Sequence, residues 1–191
     1  MDRDHDESYA QSESTVAEGV RRVCGDAPAV VRIVADEVAG DLRKSGSRGT
    51  AMLSTISALA DGTARGAADA RAGIGFIAEG FMIGAMRGAD ETPERTLAVI
   101  GHAADSFVKH AHQSGFDAAA AARGLVEGAA AWAGHCALDA SAAADAAARG
   151  AADAAEDMSP RIGRRVREAL LEGLVPGAPT LLETTVPKAR S

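Results

Sequence analysis

The chain has 191 residues, a formal charge of −7 and 47% hydrophobic residues, of which only a small share can be aromatic at 3% of the total. With 45 alanines and 21 glycines, the apolar fraction is mostly methyl groups, which argues against a conventional core of large side chains, and the scarcity of β-branched and aromatic residues argues against a β-rich fold. The acidic balance also speaks against nucleic acid as a partner, because phosphate binding needs a basic face.

The first segment, MDRDHDESYAQSE, is acidic and polar and reads as a disordered tail over residues 1–13, not as a signal peptide. Thr15 and Glu18 have capping-box spacing. Asp26 and Pro28 start a helix near residue 27 that runs to about Lys44, where SGSRG breaks it. A long helical pattern begins near Thr50. Leu53, Ile56, Ala60, Thr63, Ala67, Ala70, Ile74, Ile77, Phe81, Gly84 and Gly88 keep alternating steps of three and four, the spacing of one continuous helical seam. Thr92-Pro93 starts the next helix, which Gly115 ends. Asp117 caps a nearly unbroken run of helix formers over 118–157. Ser159-Pro160 starts a last helix to about Gly173, and Pro176, Pro179 and Pro187 make residues 175–191 an extended tail.

The expected fold is therefore all-α. Short turns near 90 and 115 predict an antiparallel bundle of about three long Ala/Gly-rich helices, with shorter helices at each end, within a single domain over 14–174. Fragments recur along it: VAEG, IAEG, LVEG and LLEG end at Gly19, Gly80, Gly128 and Gly173, and ARGAADA occurs twice. The Glu-Gly pairs are separated by 61, 48 and 45 residues. That irregularity reads as low complexity, since a solenoid keeps a fixed period; an old helical duplication is the alternative.

Four constellations could carry function. Gly73, Gly80, Gly84 and Gly88 place small residues at the spacing that lets helices touch backbone to backbone. Each glycine inside a helix is unfavourable by about 1 kcal/mol relative to alanine, so the series predicts either tight internal packing or self-association through this face. Glu79, His102 and Glu127 fall at similar heights when the chain is folded about its turns, and two carboxylates with an imidazole could hold a metal. Their helical angles place them about 200° from the apolar seam, at 100° per residue, which predicts a solvated face instead. His110, His112, His135 and Cys136 diverge on their helices and suggest no haem or metal ligand set. In the last helix, Arg161, Arg164 and Arg165 form a basic start opposite the apolar stripe Ile162, Val166, Ala169 and Leu170. A cation there opposes the helix dipole, so the cluster points to binding more than to helix stability.

No nucleotide-binding, hydrolase or zinc-protease motif is present, and no cofactor is implied. Cys24 and Cys136 make no disulfide framework, and no run is long and apolar enough to span a bilayer; a cytoplasmic setting is expected. In composition, ARGAADARAG and ASAAADAAARGAADAAED within residues 50–157 resemble the phasins, helical proteins that coat storage-polymer granules, and the alanine-rich desiccation-protection proteins. Trp132, Phe76, Phe81 and Phe107 indicate a packed fold. The reading is a non-catalytic helical protein, expected to form a homo-oligomer or to coat a hydrophobic particle or membrane-like surface. A bundle holding a metal, haem or small ligand and an accessory subunit of an enzyme complex are the alternatives.

Overall fold

The computed structural model describes residues 26–70, 72–89 and 91–173. The capping box at Thr15, the acidic head and the proline-rich tail lie outside them. Seven α-helices make up the described chain: α1 (Ala27–Ser45), α2 (Thr50–Ala70), α3 (Ile74–Ala89), α4 (Pro93–Gln113), α5 (Ala118–Trp132), α6 (Ala140–Met158) and α7 (Pro160–Gly173), with one 3₁₀ turn at Ala133–Cys136.

The helix ends follow the sequence signals. Asp26 caps α1, accepting the Ala29 N–H with Pro28 in the first turn, and Gly46 closes the helix in the left-handed region at φ 60. Asp117 accepts the Ala119 N–H, and Ser159 Oγ accepts the Ile162 N–H ahead of α7. Such caps are each worth about 1 kcal/mol.

Two breaks were not expected. The seam from Thr50 to Gly88 is interrupted between Ala70 and Ile74, where the Ala72 N–H reaches back five residues to the Ala67 carbonyl. The run 118–157 is interrupted by the 3₁₀ turn, by Ala137 in the left-handed region at φ 54, and by Asp139 capping α6 through the Ser141 and Ala142 N–H groups. Two of the three expected long helices are thus each divided in two, while the middle one stands as Pro93–Gln113, and all helices have 14 to 21 residues. The first break has a packing cause. Residues 74–89 are apolar nearly all round, so α3 needs cover on every side. It becomes the central helix, touching α1, α2, α4 and α5, with Ile77, Ala78, Phe81, Met82 and Ala85 fully buried. The Phe81 ring meets Phe107 of α4 at 4.7 Å.

The largest helix contacts are between next-but-one neighbours, α1 on α3, α4 on α6 and α3 on α5; α2 rests on α4 in the same way, while α7 packs on α6 and, less extensively, on α5. The pairs run in the same direction, and their contacts share one offset. Gly80, Gly84 and Gly88 of α3 face Val31, Ala35 and Ala39 of α1; Gly124 and Gly128 of α5 face Gly75 and Glu79 of α3; Gly150 of α6 faces Gly101 of α4. Between α2 and α4, Ser57 meets Ser106 and Leu53 meets His102, each 49 residues apart, and every glycine contact just named has that same separation. The odd helices form one layer and the even helices another, as stacked hairpins do in an α-solenoid.

The recurrent Glu-Gly pairs therefore have a positional meaning that low complexity does not supply. Those ending at Gly80, Gly128 and Gly173 lie on α3, α5 and α7, successive helices of one layer; the pair ending at Gly19 lies outside the described residues. A methyl group added at Gly80 would sit 2.5 Å from the Val31 carbonyl oxygen, and one at Gly128 would sit 2.5 Å from that of Glu79. Both glycines let a helix rest on the backbone of the one before it.

The tightest of these contacts makes a direct test. A methyl group on Gly124 would lie 2.0 Å from the Gly75 carbonyl oxygen, whereas one on Gly40 would meet nothing within 4 Å. Gly124→Ala is expected to destabilise the fold by about 3 kcal/mol or more through overpacking, and Gly40→Ala to stabilise it by about 0.5–1 kcal/mol through helix propensity. Urea unfolding of the two variants checks both signs.

Candidate functional site

Three places gather polar chemistry. The first lies between α2 and α4. His102 Nε2 is 2.9 Å from the Leu53 carbonyl oxygen and 2.9 Å from Ser57 Oγ, and Ser57 Oγ is 3.0 Å from Ser106 Oγ. A serine within reach of an imidazole is the arrangement of a nucleophile and its base. The carbonyl decides otherwise. It can only accept, so Nε2 carries the proton and donates it, and the same nitrogen cannot take the proton of Ser57. The cluster joins two helices. One turn further on, His110 Nδ1 lies 3.4 Å from Asp61 Oδ1, at a geometry that does not qualify as a hydrogen bond.

This placement separates the expected metal ligands. His102 turns toward α2, while Glu79 and Glu127 sit in the other layer on α3 and α5. Among the described residues no three His, Cys, Asp or Glu side chains come together to hold a metal. Folding the helices in order about two turns would set α4 beside both carboxylates; the two-layer stacking directs His102 to α2 instead. Glu79 is not fully solvated: it is half-buried, and burial, reinforced by the charge of Glu127, raises its pKa above the ordinary value of 4.5.

The second place is a polar cleft of about 430 Å³ at the C-terminal ends of α1, α3 and α5, lined by Arg43, Arg87, Glu91, Trp132, His135 and Cys136 among others. Trp132 is held on two sides. The His135 ring stacks on it at 3.9 Å and 6°, and the Arg87 guanidinium lies 5.4 Å from its centroid. Arg87 also pairs with Asp36 at 2.7 Å. Arginines at the ends of α1 and α3 answer the partial negative charge of helix C-termini, and the stack ties α1, α3 and the 3₁₀ turn together. Partial burial raises the Cys136 thiol above its ordinary pKa. Cys24 lies outside the described residues.

The third place is at the opposite edge of the odd layer, where α5 and α7 begin and α4 ends. A half-open groove of about 370 Å³ is lined by His112, Phe116, Asp117, Arg161, Ile162, Arg165 and Val166, with Ala118, Ala119 and Ser159. Arg165 Nη2 donates to Asp117 Oδ2 at 2.7 Å, with both side chains well exposed. Arg161 is exposed and pairs with no acid in any described contact.

The sequence-derived interaction residues divide accordingly. Gly80, Gly84 and Gly88 are covered by α1, so that seam is an internal contact and not a free face. Gly73 is outside the helix, in the exposed connection between α2 and α3. The apolar stripe of α7 is also covered: Val166, Ala169 and Leu170 are buried against α5 and α6. Arg161 and Arg165 line the groove, and Arg164 is exposed beside it. The pairing of His102 with Ser57 and Ser106, and the stack on Trp132, left no local signal, because their members are far apart in sequence or meet only across a turn.

Among the described residues no helix is long and apolar enough to cross a membrane. No protein-family model, no curated protein and no solved structure matches this chain.

Two measurements follow from these contacts. His102→Ala removes the donor to Leu53 and the bridge to both serines, and is expected to destabilise the fold by about 1–2 kcal/mol in chemical unfolding. For Glu79 the folded pKa lies above the unfolded one, so the native state binds more protons between the two values and stability falls as pH rises through that window. Glu79→Gln should therefore leave stability unchanged well below pH 4.5 and raise the melting temperature progressively above it, as followed by circular dichroism against pH.

Proposed function

We propose that this chain acts by association and not by catalysis, as a rigid helical scaffold that holds its partner at an edge of the array. One observation carries the reading. The glycine seam and the apolar stripe of α7 are both closed within the chain, while the basic residues at the start of α7 are left beside an open groove. Stacked helical hairpins commonly bind through surfaces that the stacking leaves exposed. The proton position on His102 supports the same reading, since it removes the best serine-histidine pair from nucleophilic chemistry.

Self-association and coating of a hydrophobic or membrane-like surface belong to this proposal, now through edge residues. Arg161, Arg164 and Arg165 supply charge, and the exposed Phe76 and Leu171 supply apolar contact. The seam of Gly80, Gly84 and Gly88 could serve a second copy only after α1 had moved away. Binding of a small ligand is favoured by the groove itself, whose volume of about 370 Å³ falls in the range of roughly 300–1,000 Å³ typical of ligand sites.

Native mass spectrometry of untagged protein from its own cell tests the proposal, together with sedimentation velocity and flotation with lipid vesicles. A retained small molecule, a second copy or a vesicle-bound fraction is the expected result. A bare monomer in all three measurements would overturn it.

A further inference from the structure

The groove between α5 and α7 has a composition more specific than a general contact surface. Its rim carries Arg161 and Arg165 beside Asp117, and the apolar surface it leaves accessible is that of the half-buried Phe116 and Ile162, with Val166 buried beneath them. We propose that it binds a single-chain amphiphile with an anionic head, a carboxylate or a phosphate monoester. The head lies between Arg161 and Arg165, and the first part of the chain lies on Phe116 and Ile162. This inference rests on the reading of the chain as a binding protein and names the ligand class of one edge.

Several observations converge on this class. A guanidinium presents its donors as a planar fork that matches carboxylate and phosphate oxygens. Arg161 has no described acidic partner to compete with a ligand. Arg165 has one, Asp117, at 2.7 Å, but its side chain is 69% exposed. An ion pair in that setting is worth about 0–1 kcal/mol, so a ligand head can replace Asp117 at little loss. An inorganic anion would satisfy the rim and leave the apolar floor wet, whereas an uncharged apolar molecule would leave the guanidiniums unanswered.

The groove, bounded on both sides by helices, admits one ligand chain at a time. A ligand inside the groove feels mainly the local rim, because charges beyond about 8–10 Å are screened at physiological salt.

Isothermal titration of the full chain with decanoate and with decyl phosphate, both below their micelle concentrations, tests the assignment. Decyl maltoside serves as the uncharged control of equal chain length. Saturable one-to-one binding of at least one anion is expected, with no binding of the maltoside. Arg161→Gln should weaken it roughly tenfold, the equivalent of one charge-assisted contact. Asp117→Asn keeps a side chain that caps α5 equally well and removes the competing carboxylate, so it should tighten binding severalfold. Both positions are exposed, and unchanged circular dichroism of each variant secures the comparison. Equal affinity for the uncharged amphiphile, or an Arg161→Gln and Asp117→Asn pair indistinguishable from the parent, would overturn the assignment. If the native protein retains some other ligand yet binds neither anion, the groove assignment fails and the binding reading stands; if it retains nothing and binds nothing, both fail.

Discussion

The structure depends on how closely helix backbones approach one another. At Gly124 and Gly150 the space for even one methyl group is missing, because a neighbouring carbonyl oxygen would lie 2.0 and 2.2 Å away. Such contacts bring helix axes nearer than leucine-lined seams allow. They replace a few large buried side chains with many small backbone contacts, each individually weak and collectively substantial. A chain with 45 alanines and only 6 aromatic residues (one Trp, one Tyr and four Phe) can form a well-packed interior in this way. Among the described residues, Phe81 of α3 and Phe107 of α4 are the large aromatic pair of the interior.

The common offset of 49 residues follows from the same constraint. A helix that rests on the backbone of its next-but-one neighbour through glycines four residues apart is held in one register, since sliding by one residue would bring a side chain to the contact. Successive pairs so locked give two layers of helices, and in the odd layer all N-termini fall at one edge and all C-termini at the other. Within that layer the two edges differ electrostatically. Arg43, Lys44 and Arg87 stand at the C-terminal edge, where helix ends are partially negative and cations are favoured. Arg161 stands in the first turn of α7, where a cation is disfavoured, and Arg165 one turn on pairs with Asp117. The first group is accounted for by stability and by the stack on Trp132; Arg161 is not, and it borders the groove.

Much of the local structure was legible. Asp26, Thr92-Pro93, Asp117 and Ser159-Pro160 mark helix starts by known capping chemistry, and Gly46 marks an end. The break after Ala70 was hidden because the three-four spacing continues across it: Ala67, Ala70, Ile74 and Ile77 fit one straight helix as well as two. The break at Ala133–Cys136 had a faint signal in Asp139, whose side chain caps α6, but alanines on both sides masked it. Of the candidate site residues, Arg161 was legible because its position contradicts helix stability, and Arg165 because it shares the basic face with Arg161. Their partners Phe116 and His112 were not, since nothing local ties the end of α4 to the start of α7.

By itself the sequence determined that the chain is helical, where most helices begin and that the interior is made of small residues. Alanine's helix propensity and the capping side chains act within a few residues and need no tertiary context. Only the tertiary structure decided which faces are buried. A methyl group is tolerated at a surface and in a core, so an alanine-rich helix does not announce its inward side as a leucine stripe does. The glycines resolve that ambiguity, but only once the opposing backbone is in place to show why a side chain would not fit.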